Sequence, residues 1–126
     1  MKNRLINRIV WTVGAMVALL VCYVLSRHDV LGQWHNMYDW PLILLVFGLI
    51  VLAIAAFIFS KKVMLSIPAG YLIGFILATI FNADGFDQGG GATNNGWIIW
   101  TISYMAIIVS GAIWALTSYC LTKWRK

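Results

Sequence analysis

The stretch WPLILLVFGLIVLAIAAFIFS-KK-VMLSIPAGYLIGFILATIFN, residues 40–82, decides the architecture. Twenty-one residues without Asp, Glu, Lys, Arg or His run from Trp40 to Ser60; after Lys61 and Lys62, a second such run of twenty extends from Val63 to Asn82. A membrane-crossing helix needs about 17–25 predominantly apolar residues to bridge a hydrocarbon core of about 30 Å. Both runs meet that length. They lack the strict alternation of a half-buried strand and are too long for ordinary strands. The segment therefore reads as two membrane-spanning helices, 40–60 and 63–82, folded back on each other at the lysine pair.

Working outward, residues 9–26 form an uncharged run of eighteen between Arg8 and Arg27, and residues 97–121 one of twenty-five that stops before Lys123. At 1.5 Å per residue the last run is about 37 Å long, so it is expected to tilt or project from the bilayer. The whole chain is 62% hydrophobic and 10% charged, against about 45–50% and 25% in soluble domains. A chain of 126 residues with that composition cannot hide its apolar surface in a core of its own. The expected fold is an all-α membrane protein, a single four-transmembrane-helix bundle over residues 1–126, built as two helical hairpins with outer loops. No linker, low-complexity tract or internal repeat divides it.

The direction of the spans follows from Lys and Arg. Lys2, Arg4, Arg8, Lys61, Lys62, Lys123, Arg125 and Lys126 fall on one side of the alternating spans, and only Arg27 on the other. Cytoplasmic segments carry the excess of Lys and Arg, so both termini are expected in the cytoplasm. All four acids, Asp29, Asp39, Asp84 and Asp87, fall on the outer side. The net charge of +5 is thus an orientation signal and a contact for anionic lipid headgroups, and nucleic acid is not an expected partner. Trp34, Tyr38, Trp40, Trp97 and Trp100 are expected at the outer interface and Trp11 and Trp124 at the inner one, where rings with an apolar body and a polar edge collect. A chain of this size best suits a bacterial cytoplasmic membrane. The basic start before 9–26 resembles a signal peptide, but its apolar run exceeds the usual 7–15 residues or so, and an uncleaved first span gives the even number of crossings that the charges require. Cys22 and Cys120 are expected near opposite faces of the bilayer, too far apart for a disulfide.

Helices in lipid associate through small residues and interhelical hydrogen bonds. Ser66, Gly70, Gly74 and Ala78 recur every four residues in the third span and make a small-residue ridge on one face. Ser103, Ala106, Ser110 and Thr117 are the expected matching face in the fourth span, and Gly14, Ala18 and Cys22 a further strip in the first. These strips either pack the bundle internally or hold an oligomer together. Pro68 lies two residues after Ser66; either Ser66 caps a shortened third helix with Pro68 in its first turn, or Pro68 kinks a longer one.

The outer loops hold most of the candidate chemistry. The first, RHDVLGQWHNMYD at 27–39, contains His28, His35, Asp29 and Asp39 but no zinc-motif spacing. No metal is assigned there. The second, NADGFDQGGGATNNG at 82–96, offers oxygen ligands of the kind calcium accepts from Asp84, Asp87, Gln88, Thr93 and Asn94, around three glycines that permit unusual backbone conformations. It lacks the EF-hand pattern, and the alternative is a turn closed by Asn94 or Asn95 capping the fourth helix.

The chain contains no Glu, and no nucleophile–base pair or buried carboxylate pair is apparent. An enzyme is not expected, nor is a cofactor. In size and topology the chain resembles the small four-helix multidrug transporters, but it has no counterpart of the membrane-embedded Glu in their first span, so it is not assigned to them. Four-helix fluoride channels are similar in length, yet their polar and Phe-rich motifs are not found. The leading expectation is a non-enzymatic interaction or accessory subunit acting through helix faces and outer loops, with a membrane protein partner. The alternative is a homo-oligomeric channel or facilitator whose polar path would use Tyr71, Thr79, Ser103, Tyr104, Ser110 and Thr117. A further alternative is an outward-facing cation or ligand sensor.

Overall fold

In a computed structural model the chain forms α1 (Lys2–Asp29), α2 (Trp40–Ile58), α3 (Lys61–Phe81), the short strands β1 (Asp84–Phe86) and β2 (Ala92–Asn94), and α4 (Gly96–Trp124). The structure describes residues 2–29, 40–58, 60–81, 83–86, 88–90 and 92–126, with backbone alone at 27–29, 84, 86 and 92–94. All four helices are long and apolar enough to cross a membrane. The longest, α4, has 29 residues, about 43 Å at 1.5 Å per residue.

Helix α3 organises the bundle. It packs against each of the other three helices, and its seam with α4 is the most extensive contact in the fold. The centre is filled by Leu19, Met64, Ile67, Tyr71, Trp100 and Tyr104, each 0% exposed. Outward faces remain apolar, as at Val10, Val17, Ile43, Ile50, Ile80, Ile102, Val109 and Leu116.

The turn between α2 and α3 is made at Ser60. Its N–H donates to Ala55 O at 3.1 Å, its carbonyl accepts Met64 N–H at 3.0 Å, and its Oγ lies 3.5 Å from Val63 N. Ser60 therefore starts α3 in the manner of an N-cap. Ser66 does not: its hydroxyl donates to Val63 O at 2.7 Å from within the helix. Pro68 lies inside α3, so the carbonyl of Met64 loses its usual helical donor. Pro68 O itself faces the Cys22 thiol of α1 at 3.9 Å.

Between α3 and α4 the chain makes an antiparallel β-hairpin in an otherwise helical protein, pairing Asp84 with Asn94, Gly85 with Thr93 and Phe86 with Ala92. Gly90 takes a φ of +82° in the turn, where a side chain would be strained. Asn95 stands at the start of α4 but makes no side-chain cap. Its Oδ1 instead accepts Ala83 N–H at 2.5 Å, while its own N–H donates to Ala83 O at 3.3 Å. The asparagine amide thus closes the base of the hairpin, in place of the helix cap expected at Asn94 or Asn95.

Trp100 is buried in the bundle. Trp40 and Trp97 pair edge to face with ring centroids 5.2 Å apart. Trp40 Nε1 donates to Thr101 Oγ1 at 3.1 Å, and that hydroxyl donates onward to Trp97 O at 2.7 Å.

Candidate functional site

A buried polar cluster joins all four helices. From α1, Ser26 Oγ lies 2.8 Å from Tyr23 O and 3.3 Å from the Tyr71 hydroxyl of α3. Tyr71 Oη donates to Pro41 O at the start of α2 at 3.0 Å, and Trp100 Nε1 of α4 donates to Tyr71 O at 3.0 Å. The two hydroxyl protons thus serve three contacts, and the indole supplies a third donor. Stacked on this cluster, Tyr71 meets Trp100 at 5.0 Å and Tyr104 at 5.7 Å between ring centroids, both edge to face. Such pairs favour the positive ring edge over the negative face. Tyr104 is the exception to the bonding: its hydroxyl is buried without a partner among the described residues, against the bare backbone of Gly48.

The α3–α4 seam explains how the aromatics fit. Ser66, Gly70, Gly74 and Ala78 are all buried and present one face to α4. A Cβ at Gly70 would lie 2.9 Å from Tyr104 Cδ2, and one at Gly74 2.8 Å from Trp100 Cδ1 and 3.0 Å from Trp100 O. At the far end of the seam the roles reverse: a Cβ at Gly111 of α4 would lie 2.6 Å from Ser66 Oγ. The face of α4 that enters the bundle carries Trp100, Tyr104, Ile108 and Gly111. It is not the face of Ser103, Ala106, Ser110 and Thr117, of which Ser103 is half-buried and the other three exposed. The sequence reading followed the small hydroxyl residues; the spacing of four, four and three from Trp100 to Gly111 was the signal it missed. In the Gly14–Ala18–Cys22 strip of α1, Gly14 meets nothing within 4 Å, while Cys22 packs against the core.

The six residues of the expected polar path are not brought together within one chain. Tyr71 and Tyr104 lie in the centre. Thr79, Ser110 and Thr117 face outward and donate to Phe75 O, Ala106 O and Ile113 O of their own helices at 2.7–2.8 Å. Such back-bonding satisfies a hydroxyl on an apolar face.

Of the outer-loop residues, Gln88 is exposed in the hairpin turn. The backbone brings Asp84 opposite Asn94 and Gly85 opposite Thr93. Asp87 lies outside the described residues, as do His35 and Asp39. Among the described residues no group of three or more metal-ligating side chains occurs.

The opposite end of the bundle gathers the cations. Arg8 Nη2 donates to Phe57 O at 2.8 Å and lies 3.4 Å from Ala56 O, at the last turn of α2. Lys61 Nζ stands over the Trp11 ring, 5.1 Å from its centroid, and Lys62 Nζ over the Trp114 ring at 4.6 Å. Lys62 also donates to Ser118 Oγ of α4. The start of α1, the α2–α3 turn and the end of α4 therefore share one end. Cys22 and Cys120 are free thiols. Comparison of the chain with protein-family models, curated proteins and solved structures found no match in any of the three.

Proposed function

We propose that this chain is a four-span integral membrane protein with both termini in the cytoplasm, acting as a non-enzymatic interaction or accessory subunit. The observation that carries this reading is the solid centre: six fully buried side chains from α1, α3 and α4 occupy the axis of the bundle. A solute path needs polar groups that line an opening. Here the inward polar groups among the described residues are spent on one another and on backbone carbonyls, save the Tyr104 hydroxyl, which packs against the Gly48 backbone. What the chain has to offer is its outside, chiefly α4, which joins the bundle mainly through α3.

The topology rests on charge. Eight of the nine Lys and Arg residues belong to segments at one end, and that end is the cytoplasmic one by the positive-inside rule. In a background with Cys22 and Cys120 replaced by alanine, cysteines at Gln33 and Gln88 are expected to react with a membrane-impermeant thiol reagent on intact cells, and one at Lys62 is not. Labelling at Lys62 alone reverses the orientation. Function is tested by purification from native membranes followed by mass spectrometry. A stoichiometric membrane protein partner supports the accessory role.

The second reading is a homo-oligomeric channel, and the outward position of Ser110 and Thr117 favours it. These hydroxyls, seven residues apart on the exposed side of α4, could line a path only between chains. A purified homo-oligomer that carries solute flux in liposomes, with no other protein bound, replaces the first reading with this one.

A further inference from the structure

We infer that the cytoplasmic end of the α3–α4 seam is a binding site for the phosphate of an anionic membrane lipid. The inference rests on the four-span reading above and adds a ligand and its residues. Two recesses meet there. One, of about 330 Å³, is lined by Ser60, Lys61 and Lys62 at the start of α3 and by Ser118, Tyr119 and Thr122 of α4. The other, of about 430 Å³, shares Ser118 and Thr122 and extends to Arg125 and Lys126. Cations from two distant parts of the chain thus converge on the same pair of hydroxyl residues.

The chemistry suits a phosphate ester. Lys62 Nζ donates to Ser118 Oγ, which holds the ammonium over the recess and leaves the serine proton for an acceptor. An ammonium has three donors; with one on Ser118 and one side over the Trp114 ring, Lys62 keeps one more. Thr122 donates to Ser118 O at 2.8 Å and serves as wall. The positive end of α3 and the negative end of α4 both face this region, so the side-chain cations carry the attraction. The chain has no Glu, and its four Asp, at 29, 39, 84 and 87, fall along the sequence in the two segments that alternate with the basic ones. None of the described residues that line the two recesses is acidic. The recesses also have apolar walls, Ala115 in the first and the exposed Leu121 in the second, against which an acyl chain can lie. That favours a lipid over free phosphate.

The test uses the full chain in neutral detergent, titrated separately with short-chain phosphatidylglycerol, phosphatidylcholine and inorganic phosphate, with bound adducts counted by native mass spectrometry. Near-surface Lys and Arg each contribute about 1 kcal/mol to anionic lipid binding. Lys61→Gln/Lys62→Gln is therefore expected to weaken phosphatidylglycerol binding roughly tenfold or more. Lys61→Arg/Lys62→Arg, which keeps the charge, and Lys2→Gln/Arg4→Gln, which removes as much charge from the same end, should each stay within about twofold. Unchanged gel-filtration elution and helicity separate lost binding from lost folding. Equal weakening by both glutamine pairs overturns the site in favour of diffuse charge. So does equal binding of phosphatidylcholine, and binding of inorganic phosphate as tight as the lipid overturns the lipid assignment. The detergent measurement is independent of orientation, so a reversed topology in the labelling experiment would fail separately.

Discussion

Replacing Gly74 by alanine adds one carbon at a close approach of α3 and α4 that involves the backbone of both helices. That Cβ would lie 2.8 Å from Trp100 Cδ1 and 3.0 Å from Trp100 O, where carbon contacts are comfortable only from about 3.5 Å. The helices must part by roughly half an ångström or the indole must turn. The indole is not free to turn. Its N–H is bonded to Tyr71 O at 3.0 Å, and its ring packs on Tyr71 and Phe75 with centroids 5.0 and 5.2 Å away. The carbonyl is backbone and moves only with α4. Overpacking of this kind costs about 1–3 kcal/mol. Alanine's better helix propensity returns up to about 1 kcal/mol, which would blur a comparison with the native chain. Gly14→Ala removes the ambiguity, because a Cβ at Gly14 meets nothing within 4 Å and carries the same propensity gain. The difference between the two variants isolates the clash. Unfolding by dodecyl sulfate in mixed micelles, followed by tryptophan fluorescence and circular dichroism, should place Gly74→Ala about 1–3 kcal/mol below Gly14→Ala. Gly74→Leu should fall further still. Equal midpoints for the two alanine variants would refute the close approach of α3 and α4.

The same assay separates the two central tyrosines. Tyr71→Phe removes the donor to Pro41 O and is expected to cost about 1 kcal/mol, whereas Tyr104→Phe removes a buried hydroxyl that has no partner and should be neutral or stabilising. A loss at Tyr104 as large as that at Tyr71 would mean that its hydroxyl is bonded. On the exposed side of α4, Ser110→Ala/Thr117→Val should stay within about 0.5 kcal/mol of the native chain in micelles, since both hydroxyls only back-bond to their own helix; a larger loss would place them inside the fold. If that face contacts a partner or another copy, the double variant should reduce the amount of complex recovered while leaving the chain folded.

Much of the helical architecture could be read from residues 40–82, because a lysine pair between two long uncharged runs leaves few alternatives. The helix ends were less legible. Charge marks where an apolar run stops, but a helix can continue through charged residues, as α1 does from Lys2 to Asp29. The start of α3 at Ser60 was obscured by Pro68, whose proximity to Ser66 imitates a cap-and-proline start. That the three glycines let the chain fold back and bring Thr93 and Asn94 towards Asp84 is legible in the sequence; that it does so as a β-hairpin is not, because the pairing of Asp84 with Asn94 depends on backbone bonds and on the clamp between Asn95 and Ala83, which no periodicity records. The central cluster was hidden for a related reason. Tyr71 and Tyr104 stood out only as hydroxyl bearers and Trp100 only as an interfacial ring, while their common role depends on the bare backbone of Gly48, Gly70 and Gly74 on neighbouring helices.

The cations at the terminal end do more than mark direction. The last carbonyls of a helix lack intrahelical donors, and Arg8 of α1 donates to two of them, Ala56 O and Phe57 O of α2. Its charge also complements the negative end of that helix. The depth of α1 is thereby tied to the end of α2. Lys61 over Trp11 makes a second link, from α3 to α1, and Lys62 with Ser118 and Trp114 a third, from α3 to α4. Each major seam involving α1 or α4 thus has a cation at this end, and these cations come from the group whose count carries the proposed orientation. Under the proposed topology, insertion and assembly are coupled through common residues. A neutral substitution at Arg8 weakens the orientation signal and frees the end of α2 together, so its effect on assembly has to be judged against an equal loss of charge at Lys2 or Arg4.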